Sequence, residues 1–366
     1  MRSICCFLGA GYAHVAGAPL TRDLFATRNV AVSSGGAARR FQAVWDHHEE
    51  WLSENHARNA EEYLADLLKQ HESTVWSLSE RYALQHSSLE RTGAIEARQA
   101  PLPFSIPRLP SRAVPPFEWA VELLGAALAS PLSSDTTKTN CRYGARITFP
   151  FHCGSHSAFW REVTASQSDH VAAITTNYDI LIERQLRHRR MRRTFGPGCY
   201  YGGLPKPQLL RGTQLPWAYQ GTHVTLEGAI PIYKLHGSLN WSLAARELEL
   251  FQDMRPAFRQ GGNAAIIPPV PEKDIPPWLS PVWKCAEQEL AGAEVWIICG
   301  YSLPSYDIAV IELLRRAAAK GYLTRVLVLD PRSSDICRRY AAIMQNVEVI
   351  GLEGLPGGVD MLHKLL

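Results

Sequence analysis

His236 stands in the run "PIYKLHGS", an imidazole set directly after an apolar segment and followed by glycine and serine. An imidazole titrates near neutrality, so in that place it suits general-base work on a ligand held in a cleft. A structural strand-end histidine is the bland alternative. Asn177 and Asp179 stand one residue apart in "TTNYD" (175–179). Their amide and carboxylate can orient a hydroxyl, a water or a carboxamide, and both residues are equally natural in turns and caps. Gly9, Ala10 and Gly11 open "GAGYAHVAGAPLTR". Such glycines let a backbone approach a pyrophosphate at a helix N-terminus, or simply make a tight strand-to-helix connection. Gly300, Ser302 and Leu303 in "CGYSLP" offer a hydroxyl and backbone N–H groups to a second phosphate position. Read structurally, the same turn starts a helix capped by Ser305 or Asp307. Asp330 ends "VLVLDP" and can accept hydrogen bonds from ribose hydroxyls, or cap the loop before Pro331.

The elements that must carry these residues follow an α/β grammar. Strands are expected at 3–9, 170–175, 231–235, 293–299, 324–330 and 346–354, several followed by helical patterns. The segment after 235 reads as a polar turn, and Gly321 reads as a helix C-cap. Apolar runs alternating with helices predict a doubly wound, mainly parallel, Rossmann-like sheet covered on both faces. In such a sheet ligands sit at the carboxyl ends of the strands, where connections leave in opposite directions. The candidate residues gather at four such ends. Between the first two strands lies different sequence: a helix-rich stretch at 38–92, a proline-rich connector at 99–116, and the helical "FEWAVELLGAALAS". The expected organisation is a core of 1–37 and 136–366 with a mainly helical insertion at 38–135. Residues 196–222 and 254–280 read as Gly/Pro-rich loops.

The bulk numbers narrow the classes. A net charge of +3 makes no general demand for a nucleic-acid partner. The eight cysteines contain no C-x-x-C pair, which argues against a zinc ribbon and for a reduced, cytoplasmic protein. No stretch approaches the length of a membrane span.

Together the four turns resemble the NAD-binding core of the sirtuins, and more closely the sirtuin-like domains of bacterial anti-phage defence proteins. The opening motif matches through Gly9, Ala10, Gly11, Gly17, Pro19 and Arg22; "TTNYD", "KLHGS" and "IICGYSLPSYD" match the three others in order. Ala13 stands where sirtuins usually have serine, and Leu20-Thr21 replaces their Asp-Phe. The paired C-x-x-C zinc module is absent, which argues against a peptide groove for deacylation.

The resemblance implies an enzyme that hydrolyses NAD+ to nicotinamide and ADP-ribose, with no metal. It implies catalytic roles for His236, Asn177 and Asp179, and cofactor-binding roles for Gly9, Ala10, Gly11, Arg22, Thr176, Gly300, Ser302, Leu303 and Asp330. It also implies an effector switched on by homo-oligomerisation or by a second subunit, such as a HerA-type ATPase or another defence sensor. Two other readings stand beside it: a subunit that binds NAD+ or ADP-ribose without turnover, and a deacylase or ADP-ribosyltransferase. Two features stay outside the resemblance. "ERQLRHRRMRR" (183–193) concentrates six arginines, either a solvated helical face or a contact for nucleic acid or an acidic partner. "HCGSH" (152–156) has a spacing that matches no strong zinc signature.

Overall fold

The computed structural model describes residues 3–16, 18, 20, 25, 35–55, 60, 62–67, 69–70, 114–115, 117–129, 154–166, 168, 170–187, 199–204, 229–244, 247–250, 263–267, 275–344 and 346–366. Arg22, Gly17, Pro19, most of the proline-rich connector, Arg189–Arg193, Cys141, His152 and Cys153 lie outside them. The chain divides into two units, Met1–Ala31 with Leu124–Leu366, and Val32–Leu123. These boundaries fall at 31/32 and 123/124, beside the 37/38 and 135/136 read from sequence.

In the larger unit, β1 (Ser3–Leu8) leads into the short α1 (Ala10–His14). After α4 (Gly154–Ala165) come β2 (His170–Thr175), α5 (Leu181–Arg187), β3 (Cys199–Tyr201) and β4 (Ile230–Lys234). A second group follows: β5 (Gly237–Ala244), β6 (Glu247–Leu250) and β7 (Asn263–Ile266). The last third alternates regularly through α6 (Ser280–Gly292), β8 (Val295–Cys299), α7 (Ile308–Ala318), β9 (Arg325–Leu329), α8 (Ser333–Ile343), β10 (Glu348–Leu352) and α9 (Leu355–Leu365).

Seven strands form one sheet in the order β10-β9-β8-β1-β2-β4-β3, with every neighbouring pair parallel. The expected Rossmann-like α/β fold is therefore what the chain adopts. Its central strands are apolar on both faces because helices cover both: β8 is buried throughout, and β1 from Ile4 onward. The edge strand β10 buries only Leu352 and leaves Glu348 exposed. Helix α7 shows how the cover is built. Val310, Leu313, Leu314 and Ala317 recur at helical spacing and are buried, each of the larger three contributing about 1.5–3 kcal/mol. Pro281 starts α6 where its missing N–H costs nothing.

Three expectations need correction. The segment after Leu235 is not a polar turn running on into loop: its turn is confined to Leu235–His236, and Gly237 begins β5, the centre of a separate antiparallel sheet ordered β6-β5-β7. Its buried Ser238 and Asn240 disguise it, because polar side chains there face other polar groups rather than solvent. Within the stretches read as loops, Cys199–Tyr201 pairs with β4 as an edge strand and Asn263–Ile266 pairs with β5. Gly321 has the left-handed φ of 84°, but the C-cap position of α7 is Ala319.

The smaller unit contains α2 (Gly35–Glu54), helical residues at 62–67 and the first part of α3 (Phe117–Ala129). Its interior is aromatic: Phe41, Trp45, Trp51 and Tyr63 are buried with Val44, Leu64 and Leu67. The Arg40 guanidinium meets Glu122 in a two-pronged bond at 2.8 and 2.9 Å. His48 is buried among these rings, and burial lowers its pKa to about 4. A depressed histidine leaves its stability intact above about pH 6.5 and loses it as pH falls through the folded pKa. The stability of the chain is accordingly expected to fall between pH 6.5 and 4, and His48→Phe should flatten that slope in thermal scans.

Candidate active site at the topological switch point

From β1 the chain passes to β2 on one side, whereas from β8 it passes to β9 on the other. The switch point of the sheet thus lies between β1 and β8, where a parallel α/β sheet offers its cleft. A cleft of about 390 Å³ opens there, within the usual range for small-molecule sites. Gly11, Gly300 and Asp330 line it together with His14, Leu329 and Leu355.

The turns after β1 and β8 are built against each other. Gly9 N–H donates to Cys299 O at 3.0 Å and Gly11 N–H to Gly300 O at 2.9 Å. A Cβ at Gly9 would meet the Gly300 carbonyl at 2.6 Å, and one at Gly300, whose φ is +64°, would meet Tyr12 N at 2.2 Å. The glycines are required by this backbone contact itself, a reason the sequence did not offer. Beyond Gly300, Leu303 holds a φ of 52°, a left-handed conformation uncommon for a leucine, and Arg339 ties the loop by donating to Ser302 O at 2.9 Å. Ala10 is the first residue of α1.

Asp330 sits at the end of β9, buried, with Oδ1 accepting from Arg332 N at 2.8 Å. That bond is an Asx turn, the loop-capping role, and it places the carboxylate on the cleft wall at the same time.

On the other side of β1 the polar residues of β2 and β4 converge. Asn177 Nδ2 donates to Gly9 O at 2.9 Å, and Asn177 N–H to Thr175 Oγ1 at 3.0 Å. Thr175 in turn donates to Leu8 O at 2.7 Å. Asp179 accepts from Leu181 N at 2.8 Å and so starts α5, while Thr176 beside them is half-buried. His236 is fixed through its backbone, its carbonyl accepting from Ile267 N at 2.9 Å. Gly237, at φ +76°, permits that bend; a Cβ there would stand 2.0 Å from Ala265 O. The His236 ring lies nearly parallel to Trp283, with centroids 6.5 Å apart, and its Nε2 is 3.7 Å from Asp307 Oδ2.

Behind this loop stands a buried polar network that the sequence reading missed. Lys234, fully buried in β4, donates to Asp179 O and pairs with Glu183 Oε1 at 3.3 Å. Tyr201 donates to Glu183 at 3.0 Å, and Ser238 to Asn240 at 2.7 Å and to Tyr178 O at 3.2 Å. A lysine inside the apolar run "PIYKL" was the available signal. Asp307, read only as a cap, makes no side-chain capping bond; its carboxylate accepts instead from the Tyr301 hydroxyl at 2.8 Å.

The structure brings Gly9, Gly11, Gly300 and Asn177 together and keeps Asp330 on the same cleft. His236, Asn177 and Asp179 are not among the residues lining that cleft, and His236 is 1% exposed. His156 of "HCGSH" bonds the Tyr12 carbonyl at 2.8 Å inside the core. Among the described residues no cluster of His, Cys, Asp and Glu has the makings of a metal site, and no helix is long and apolar enough to cross a membrane.

The fold and cleft define an α/β, Rossmann-like protein with a switch-point site. No protein-family model matches the chain, and a search of curated proteins finds no match.

Proposed function

We propose that this chain cleaves the bond between nicotinamide and ribose in NAD+, with water as acceptor, as a defence effector that assembly or a partner subunit turns on. The observation that carries the reading is a single juxtaposition. The switch-point cleft is bordered by Gly11, Gly300 and Asp330; the Asn177–Gly9 bond joins it to the turn after β2, and Leu235 N–H, donating to Thr175 O at 2.9 Å, joins the end of β2 to the turn that holds His236. A dinucleotide spans two such regions, with its adenosine half toward Asp330 and its nicotinamide half toward Asn177 and His236.

In this reading the C1′–N bond breaks and its electron pair leaves with nicotinamide. The water oxygen bonds to C1′, and its proton passes to His236. Asn177 orients the ribose hydroxyls or the water, and Asp179 faces the carboxamide. Positively charged ribose in the transition state is served by orientation and fixed dipoles more than by a strong nucleophile. The test is to incubate the protein with NAD+, alone and in assembled states, and to follow free nicotinamide and ADP-ribose by chromatography.

A second reading, a subunit that binds NAD+ or ADP-ribose without turnover, is favoured by the 1% exposure of His236 and by the engagement of the Asn177 amide with Gly9. Calorimetric binding of NAD+ with no nicotinamide release in any assembly state would select it.

Asp330 also predicts nucleotide choice. A strand-end carboxylate accepts the 2′-hydroxyl of NAD+ and repels the 2′-phosphate of NADP+. NADP+ should bind at least about tenfold more weakly, and Asp330→Ser should narrow the gap, with the nearby exposed Arg332 then free to favour the phosphate. Equal affinities in the parent would remove Asp330 from the ribose site.

A further inference from the structure

We infer that Asp307 is the positioning residue for His236: its carboxylate holds the imidazole through Nε2 and leaves Nδ1 as the basic nitrogen. The inference rests on the NAD+ cleavage reading and deepens it by assigning a partner and a nitrogen.

Asp307 comes from a different element than any residue in the "TTNYD" and "KLHGS" turns. It occupies the N-cap position of the 11-residue α7 and is 1% exposed. Its Oδ2 lies 3.7 Å from Nε2 of His236 and accepts the Tyr301 hydroxyl at 2.8 Å. Tyr301 is itself held by the GYSL turn, its ring 4.8 Å from that of Phe7 in β1. A buried carboxylate needs hydrogen-bonding and charged partners, and at the N-cap of α7 it stands at the positive end of the helix.

The ring has little freedom to face elsewhere. Its backbone carbonyl is bonded to Ile267 N, one face lies near Trp283, and the Tyr178 ring stands 6.2 Å away. Trp283 is in turn fixed by donating to Leu235 O at 2.7 Å. A separation of 3.7 Å is an approach rather than a completed hydrogen bond, and catalytic contacts of this kind tighten in the substrate complex. With the carboxylate at Nε2, the Nε2–H tautomer is selected, and the cation formed when Nδ1 takes the proton from water is stabilised.

Asp307→Asn keeps the shape but removes the charge; with its amide nitrogen in the place of Oδ2 it can donate to the ring and reverse the tautomer, giving up the Tyr301 bond at that atom. Nicotinamide release should fall about 10²-fold or more in kcat, with the KM for NAD+ within about threefold. In parallel, nitrogen-15 NMR of histidine-labelled protein at about pH 8, where an ordinary imidazole is neutral, reads the His236 ring directly. The resonance is assigned by its loss in His236→Gln. The parent should show Nε2–H, and D307N should move toward Nδ1–H.

A kcat within threefold of the parent overturns the inference. So does a parallel loss of kcat and NAD+ affinity with the ring signal unmoved. A parent that releases no nicotinamide in any assembly state defeats the cleavage reading, and the ring signal then decides Asp307 by itself. Nδ1–H in the parent overturns the assignment even if D307N fails to fold.

Discussion

His236→Ala abolishes most nicotinamide release from NAD+, by about 10²–10⁴-fold, while NAD+ still binds: that is the expected result if the imidazole is the base. The affinity should hold because the switch-point cleft, with Gly11, Gly300 and Asp330 on its walls, does not include His236. The backbone bonds around position 236 do not depend on its side chain: Ile267 N reaches the carbonyl, and Leu235 N reaches Thr175 O. Removing a ring that is 1% exposed leaves a cavity, so alanine alone confounds chemistry with packing. His236→Gln fills most of that volume without a basic nitrogen and should lose the same rate. Both kcat and calorimetric affinity are needed. A glutamine variant that retains the parental kcat would strip His236 of its role, and a variant that loses affinity and rate together would make it a wall of the site.

Lys234→Met should cost about 3–5 kcal/mol of stability, the usual consequence of removing one member of a buried ion pair. Glu183, 1% exposed, would lose the ammonium, with only the Tyr201 hydroxyl still donating to Oε1. The Asp179 carbonyl would lose its donor as well. Because that carbonyl belongs to the segment that carries Asn177, the damage should extend to function: residual folded protein should bind NAD+ with the Asn177 segment misplaced. Urea unfolding measures the first effect. The double variant Lys234→Met with Glu183→Leu separates charge from shape, since apolar replacements of a buried pair are often neutral in stability. It should recover most of the loss in unfolding free energy without restoring nicotinamide release. A single variant within about 1 kcal/mol of the parent would show that Glu183 finds other compensation.

The sheet was legible because its central strands are buried on both faces, and continuous apolar runs such as "VWIIC" and "RVLVL" leave no choice of pattern. The strand ends were legible because Gly, Asn, Asp and His interrupt those runs abruptly. The small antiparallel sheet was not. Its centre strand, "GSLNWSLA", alternates Ser238, Leu239, Asn240 and Trp241, all buried, so polarity there reports a polar interior rather than solvent. Edge strand Cys199–Tyr201 is three residues long, too short for any periodicity to declare it. Asp307 was visible as a residue, but His236 is 71 positions away in the chain, and only the fold brings the carboxylate to 3.7 Å from that ring. The glycines of the first turn were read as a phosphate turn or a tight connection; the partner they accommodate in the structure is the backbone of Gly300 and Tyr301.

The central position of β1 carries a consequence for how the protein is made. Its β2 partner lies 167 residues further along, as in the Thr175–Leu8 bond, and its β8 partner about 290. At a translation rate of about 5–20 residues per second, the ribosome needs about 10–30 s to deliver the first neighbour and about 15–60 s to deliver the second. Until β2 is delivered "ICCFL" has no strand partner on either edge, and until β8 is delivered it has none on the other. Long-range parallel pairing of this kind is slow to form and exposed to aggregation. Yield of folded chain should therefore depend on holdase chaperones and on slow synthesis at low temperature, and the segment before Gly9 is where a solubilising fusion or a bound chaperone has most to shield.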